Sequence, residues 1–75
     1  MAVVHKLDEH MLDREVKHLD VECTYSVVTN DHGQKFLQID TYGSRGRKMP
    51  GKKSQSVRFA PEAIAQLKSI LRDKF

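Results

Sequence analysis

Basic residues are most concentrated between Ser44 and Arg58, a stretch with six of them and no carboxylate. Like charges this close together repel, so an anionic partner explains the stretch better than a loop that only faces water, although that simpler interpretation stays open. Residues 1–40 contain 4 basic and 8 acidic residues, a net charge of −4. Residues 41–75 contain 9 basic and 2 acidic residues, a net charge of +7, so the whole chain carries +3. The basic residues of the stretch are Arg45, Arg47, Lys48, Lys52, Lys53 and Arg58.

Two aromatic side chains near this stretch add a second ingredient of nucleic-acid binding. Cations follow the phosphates of a single strand, and flat rings stack on its unpaired bases. Phe36 and Tyr42 share one face of a strand-like run, and Arg58 joins them if Val57 and Phe59 point to the core. Alternatively, the N-terminal segment or a second subunit covers Phe36. The candidate nucleic-acid-binding residues are Lys35, Phe36, Tyr42, Arg45, Arg47, Lys48, Lys52, Lys53 and Arg58.

Two runs of alternating residues predict an antiparallel hairpin. They cover residues 19–28 and 35–43, and the turn-forming residues 30–33 separate them. We expect Leu37 and Ile39 to mark the core face of the second run. The residues of the first run expected to share that core face are Leu19, Val21, Cys23, Tyr25 and Val27.

The remainder of the chain predicts a loop at 44–55, an additional strand at 56–59 and a C-terminal helix that starts near Pro61. Apolar residues recur at helical spacing along that helix: Ile64, Leu67, Leu71 and Phe75. The fold class is therefore α+β, with an antiparallel sheet of a hairpin plus one or two further strands, followed by the helix. We divide the chain into an N-terminal segment, residues 1–18, and a nucleic-acid-binding domain, residues 19–75. The sequence specifies no structure for the N-terminal segment, and a short helix at 8–18 is one option.

Several classes of function are disfavoured. The sequence contains no Gly-rich phosphate loop and no nucleophile elbow, and it is too short for a large closed pocket, so we expect no enzyme and no small-molecule substrate. The single cysteine and the scattered histidines match no metal motif, and no cofactor is expected. Without a signal peptide or an apolar membrane span, the chain is expected in a bacterial-type cytoplasm, with nucleoid association left open.

The segment from Lys35 to Leu71 resembles the single-stranded-DNA-binding domain of the PC4 transcriptional coactivator family. The resemblance rests on the strand that ends at Ile39-Asp40, the turn Pro50-Gly51-Lys52-Lys53, the strand Val57-x-Phe59, and the helix entry Pro61-Glu62 followed by Gln66-Leu67-Lys68. With Tyr25 to Val28 as the first strand, it covers roughly Tyr25 to Leu71. It implies a homodimer whose sheets bind single strands with little sequence preference, the basic turn falling on Lys52 and Lys53.

We therefore expect residues 19–75 to form a PC4-like nucleic-acid-binding domain, and the chain to be a homodimer that binds single-stranded DNA or RNA and acts in transcription regulation or as a cofactor of it. The alternatives are an adaptor whose basic loop docks an acidic protein, and a duplex binder that contacts only phosphates. A chain of this length builds only a thin core, which favours self-association. The residues expected at the dimer interface are Phe59, Leu67, Leu71 and Phe75.

Overall fold

A computed structural model describes residues 2–14, 16–43 and 53–75. Within these ranges, four strands form one sheet in the order β1-β4-β3-β2, and a single helix follows the last strand. The elements are β1 (Ala2–Val4), β2 (Cys23–Thr29), β3 (Lys35–Tyr42), β4 (Lys53–Phe59) and α1 (Pro61–Lys74). The α+β class is confirmed, and the sheet is mixed.

The predicted hairpin of β2 and β3 is confirmed. Asn30 closes its turn, because its Oδ1 accepts the backbone N–H groups of His32 and Gln34, both at 2.9 Å. Gly33 adopts a φ of 77°, a left-handed conformation that glycine reaches without the steric cost of a Cβ. The side chain of Asn30 and the backbone freedom of Gly33 together set the register of the two strands.

β4 is longer than predicted and pairs antiparallel with β3. The sequence indicated a strand only at residues 56–59, but pairing extends back to Lys53, which lies opposite Tyr42. The register shifts between Thr41 and Tyr42, so one extra residue of β4 is accommodated there. The polar composition of residues 53–55 had indicated a loop, whereas the ladder with β3 holds them as a strand.

The N-terminal residues correct the expectation of a purely antiparallel sheet, because β1 pairs parallel with β4. Val4 accepts a backbone hydrogen bond from Ala60 at 2.9 Å. Just beyond the strand, Leu7 exchanges two hydrogen bonds with the side chain of Gln66, at 2.8 and 3.1 Å. The first residues of the chain are thereby attached to both the sheet and the helix, which local patterning could not indicate.

The option of a helix at 8–18 is wrong for the described residues, which contain no helix before Pro61, and β2 begins at Cys23 rather than at Leu19. Leu12 and Leu19 are each 75% exposed. A short helix is marginal unless its apolar stripe packs on another element, and these side chains find none among the described residues.

The C-terminal helix is confirmed from Pro61 onward. Ala60 is its N-cap, in extended conformation and without a side-chain hydrogen bond, while Glu62 in the first turn and Arg72 in the last suit the helix dipole. Ala63 is fully buried and is the helix residue packed most closely. The helix contacts β3 and β4.

The core is thin, and part of the expected core is exposed. Among the described residues no large side chain is fully buried, and the buried apolar residues are Ala60 and Ala63. Tyr25 is 76% and Val27 63% exposed, and Cys23 is also exposed, so their predicted burial is wrong. The physical reason is position: β2 is the outer strand, whereas the helix lies against β3 and β4.

Candidate nucleic-acid interface

Strand register assigns the side chains of the sheet to two faces. Residues paired across neighbouring strands point to the same side, and successive residues alternate. One side, here called the polar face, consists of Thr24, Ser26, Val28, Phe36, Gln38, Asp40, Tyr42, Lys53, Ser56 and Arg58, with Val3 at the β1 edge. The other side, here called the apolar face, includes Ala2, Val4, Tyr25, Val27, Leu37, Ile39, Val57 and Phe59.

Gln38 lies at the centre of the polar face and connects two charged residues. Its Oε1 accepts hydrogen bonds from Nε of Arg58, at 3.1 Å, and from Nη2 of the same guanidinium. Its Nε2 donates to both carboxylate oxygens of Asp40, each at 3.1 Å. Gln38 is 7% and Asp40 3% exposed. One amide side chain thus connects the guanidinium of Arg58 to the carboxylate of Asp40.

Asp40 is the buried acid of this cluster and is matched by a cation. Nζ of Lys53 lies 3.3 Å from its Oδ2. The Ser56 hydroxyl beside the carboxylate, then the amide of Gln38 and the ammonium of Lys53, hold the pKa of Asp40 below its ordinary value of 3.8, against the opposing effect of burial. The Ser56 hydroxyl is buried and forms no hydrogen bond of standard geometry within the described part of the chain, so its dipole acts by proximity.

The charges of this cluster sum to one positive charge, since Asp40 offsets one of its two cations. Lys53 is engaged with Asp40, which leaves Arg58 as the excess cation of the cluster. Arg58 uses Nε and Nη2 on Gln38, and no hydrogen bond of its Nη1 is found among the described residues. A guanidinium held in this way can present donors to a phosphate or to a base edge.

The two aromatic residues stand at opposite ends of the polar face on β3. The hydroxyl of Tyr42 is hydrogen-bonded to that of Thr24, 2.9 Å away across the strands. Both Phe36 and Tyr42 are half-buried, so part of each ring is accessible. Six residues of strand separate them by about 20 Å, and a strand of nucleic acid that touches both rings must therefore span several nucleotides.

The structure brings together four of the predicted site residues and separates a fifth. Phe36, Tyr42, Lys53 and Arg58 lie on the polar face. Lys35 alternates with Phe36 on β3 and so lies on the side of the apolar face. It lines a surface depression beside the helix, together with Pro61, Ile64 and Lys68. The other predicted residues lie outside the described part of the chain: Arg45, Arg47, Lys48 and Lys52.

Sequence reasoning missed Gln38 and Asp40, which contact the two cations, and Ser56, whose buried hydroxyl lies beside Asp40. Their alternation in the sequence was visible, but polar residues at such positions normally face water and carry no particular role. One sequence signal could have indicated them: an amide and an acid stand at alternate positions of β3, and the neighbouring strand β4 carries basic residues. The contacts of Gln38 with Arg58 and of Asp40 with Lys53 cross between strands, so they depend on the β3–β4 register.

An open depression of about 650 Å³ lies along β4, lined mostly by residues of the apolar face. Ala2, Ile39, Thr41, Gln55 and Val57 are among the residues that line it. It is open to solvent, and Lys53 is the one titratable side chain among the described residues that line it. The cluster of Asp40, Lys53 and Arg58 therefore remains the chemically distinctive part of the described sheet.

Comparisons with known proteins assign this chain to no family and to no known fold. No protein-family model, no curated protein and no solved structure matches this chain. In the described ranges, no helix is long and apolar enough to cross a membrane. The arrangement of the polar face, with two cations held beside an amide and an acid between two partly accessible rings, is therefore the feature from which a function can be argued.

Proposed function

We propose that the polar face binds single-stranded nucleic acid, in the manner suggested by the resemblance to the PC4 family, and that the protein acts as a homodimer in transcription regulation. The observation that carries the proposal is the shared face of Phe36, Tyr42 and Arg58, with Arg58 held by Gln38. Cations and stackable rings on one surface are the two requirements of single-strand binding.

The placement of the charges supports phosphate binding by this face. Asp40 is buried beneath its partners and is offset by Lys53, so it presents little negative charge to an approaching phosphate. Arg58 supplies the remaining positive charge from a fixed position. The described part of the face carries few cations. The sequence 44–52, which contains four basic residues, begins two residues after Tyr42 at the end of β3. This proximity in sequence favours a binding path that begins at Phe36 and continues toward Tyr42.

The proposal is tested by titration of fluorescent oligo-dT of increasing length, followed by anisotropy. Because the two rings stand about 20 Å apart, affinity should rise steeply until the strand bridges them, at no more than about seven nucleotides, which are joined by about six steps of 3.4 Å when stacked. Oligo-U in a parallel titration compares RNA with DNA. Weak binding that grows only gradually with length would contradict a two-ring site.

Two competitors separate the remaining alternatives. Duplex DNA has the higher charge density but no free bases, so it should compete less well than oligo-dT if the rings take part. Polyglutamate should displace oligo-dT only weakly. A duplex that binds more tightly than the single strand would indicate a phosphate-only binder, and polyglutamate as strong as oligo-dT would favour an acidic protein partner.

A matched pair of variants places the interaction on the polar face. Arg58→Ala and Lys35→Ala each remove one positive charge from β4 or β3, but only Arg58 lies on the polar face. Arg58→Ala should weaken oligo-dT binding and lower its salt dependence by about 0.7 in log–log slope, the value for one contact to a single strand. Equal effects of the two variants would show that only total charge matters.

A further inference from the structure

The outer edge of β2 is suited to pair with another strand. β2 is the last strand of the sheet, and in the described part of the chain no element pairs with its outer side. Native edge strands are normally protected by lysine, proline or a bulge. β2, with the sequence CTYSVVT, has none of these and carries no charge. An unprotected edge of this length is a template for another strand.

The hydrogen-bond pattern shows which backbone groups of β2 are free. Backbone bonds join Tyr42 to Glu22, at 2.9 Å, and Asn30 to Gln34, at 3.0 Å, in the same register as the hairpin. The even-numbered residues of β2 therefore form the hydrogen-bonded pairs with β3. The backbone groups that consequently point away from the sheet belong to Cys23, Tyr25, Val27 and Thr29.

We propose that β2 pairs antiparallel with β2 of a second copy of this chain, about a two-fold axis through Ser26. This register places Tyr25 opposite Val27 of the second copy, and Cys23 opposite Thr29. All four outward-pointing residues then form hydrogen-bonded pairs, four pairs with two bonds each, or about eight bonds. No charge opposes a like charge within the paired strands.

The side chains support a second copy as the partner. Tyr25 is 76% and Val27 63% exposed, and in this register they meet as an aromatic and a β-branched residue across the strands, a favourable pair. The axis is perpendicular to the sheet, so two four-stranded sheets become one of eight strands. The polar faces of both copies then lie on the same side.

This interface differs from the helix surface that the sequence indicated. Leu71 is 53% and Phe75 93% exposed, so the end of the helix also offers apolar area. Helix pairing lacks the set of backbone donors and acceptors that the edge of β2 presents in a self-complementary order. A dimer through the helix is therefore the rival outcome of the experiment below.

Charge variants test the register by sedimentation. Tyr25→Lys with Val27→Lys places two lysines opposite each other on both sides of the axis, at the centre of the proposed pairing, and the mass should fall from dimer to monomer. Tyr25→Lys with Val27→Glu places each lysine opposite a glutamate and should restore the dimer. Both positions are exposed, and circular dichroism checks that the variants fold. A lysine pair that leaves the dimer intact, or a wild type that is monomeric at tens of micromolar, would overturn the proposal.

A cysteine placed on the axis provides an independent test. In a Cys23→Ser background, Ser26→Cys should form an intermolecular disulfide under mild oxidation, because Ser26 and its symmetry mate form a non-hydrogen-bonded pair with Cα atoms about 4.5 Å apart, within disulfide range. Wild-type Cys23 should not crosslink, since its mate lies about 20 Å away along the strand. The reverse result would overturn the register.

The outcome is distinguishable from that of nucleic-acid binding. The lysine pair lies on the apolar face, so a monomeric variant retains a complete polar face. It should bind short oligo-dT with nearly unchanged affinity and lose only the additional affinity for strands long enough to cross both subunits.

Discussion

Gln38 donates through Nε2 to both carboxylate oxygens of Asp40, each at 3.1 Å, while its own carbonyl oxygen accepts from Arg58. Both partners of the first contact are buried. The amide is therefore oriented by the acid: Nε2 must face Asp40, which leaves Oε1 to face the guanidinium. The position of Arg58 on the polar face depends on an acid that it does not itself contact.

Gln38→Met should weaken oligo-dT binding several-fold without changing its salt dependence. The variant keeps the size of the side chain but removes both the acceptor for Arg58 and the donor to Asp40. Arg58 keeps its charge and loses only its fixed position. In contrast, Arg58→Ala should lower the salt slope. Anisotropy titrations at several salt concentrations measure both quantities, and wild-type affinity in Gln38→Met would refute this positioning role.

Asp40→Asn should make the unfolding free energy of the protein depend less on pH in the acidic range. The native pKa of Asp40 lies below the ordinary 3.8, so the unfolded chain binds a proton first as pH falls. The contribution of this group to stability is complete above about pH 4 to 5, declines as pH falls through 3.8, and is lost below the native pKa. The variant lacks that decline.

Urea melts between about pH 2 and pH 6 measure this difference. Asp31→Asn is the matched control, because Asp31 is exposed in the hairpin turn and forms no side-chain hydrogen bond among the described residues. It should keep the acid dependence of the wild type. A parallel loss of stability in Asp40→Asn and wild type would show that the cluster does not hold the carboxylate in its charged form.

Removal of either aromatic ring should reduce single-strand affinity more than duplex affinity. Phe36→Ala and Tyr42→Ala should each cost about 1 to 3 kcal/mol of binding free energy for oligo-dT and much less for duplex. Tyr42→Phe keeps the ring and loses only the bond to Thr24, so it should bind nearly as the wild type does. Thermal melts identify the competing explanation: a core phenylalanine would cost about 3 to 5 kcal/mol of stability, and both affinities would fall together.

Gln66→Ala should release the N-terminal segment from the helix. The variant loses both hydrogen bonds to the backbone of Leu7, which should cost about 1 to 2 kcal/mol of unfolding free energy. Amide hydrogen exchange at Leu7 should accelerate while exchange in the β2–β3 hairpin stays slow. Glu62→Gln changes the exposed contact to His5 and removes the charge from the first turn of the helix, but leaves both bonds of Leu7 in place, and serves as the control. Unchanged exchange at Leu7 would show that β1 alone holds the segment.

The sequence by itself determined the elements whose signals are local. Alternation and the turn chemistry of Asn30 and Gly33 specify the hairpin, because side-chain hydrogen bonds and backbone freedom act over a few residues. Pro61 and the helical spacing after it specify the helix for the same reason. The shared face of Phe36 and Tyr42 also follows from strand period alone.

Tertiary structure decided everything that depends on contacts distant in sequence. The parallel pairing of Ala2–Val4 with β4 and the attachment of Leu7 to Gln66 join residues more than fifty positions apart, which no local pattern encodes. The burial of Asp40 and the exposure of Tyr25 likewise reverse the expectation from alternation. Alternation specifies only that two faces differ. Which side chains become buried depends on the neighbouring strands. The β3–β4 register brings Lys53 to Asp40 and Arg58 to Gln38, and the strand order leaves β2 at the edge.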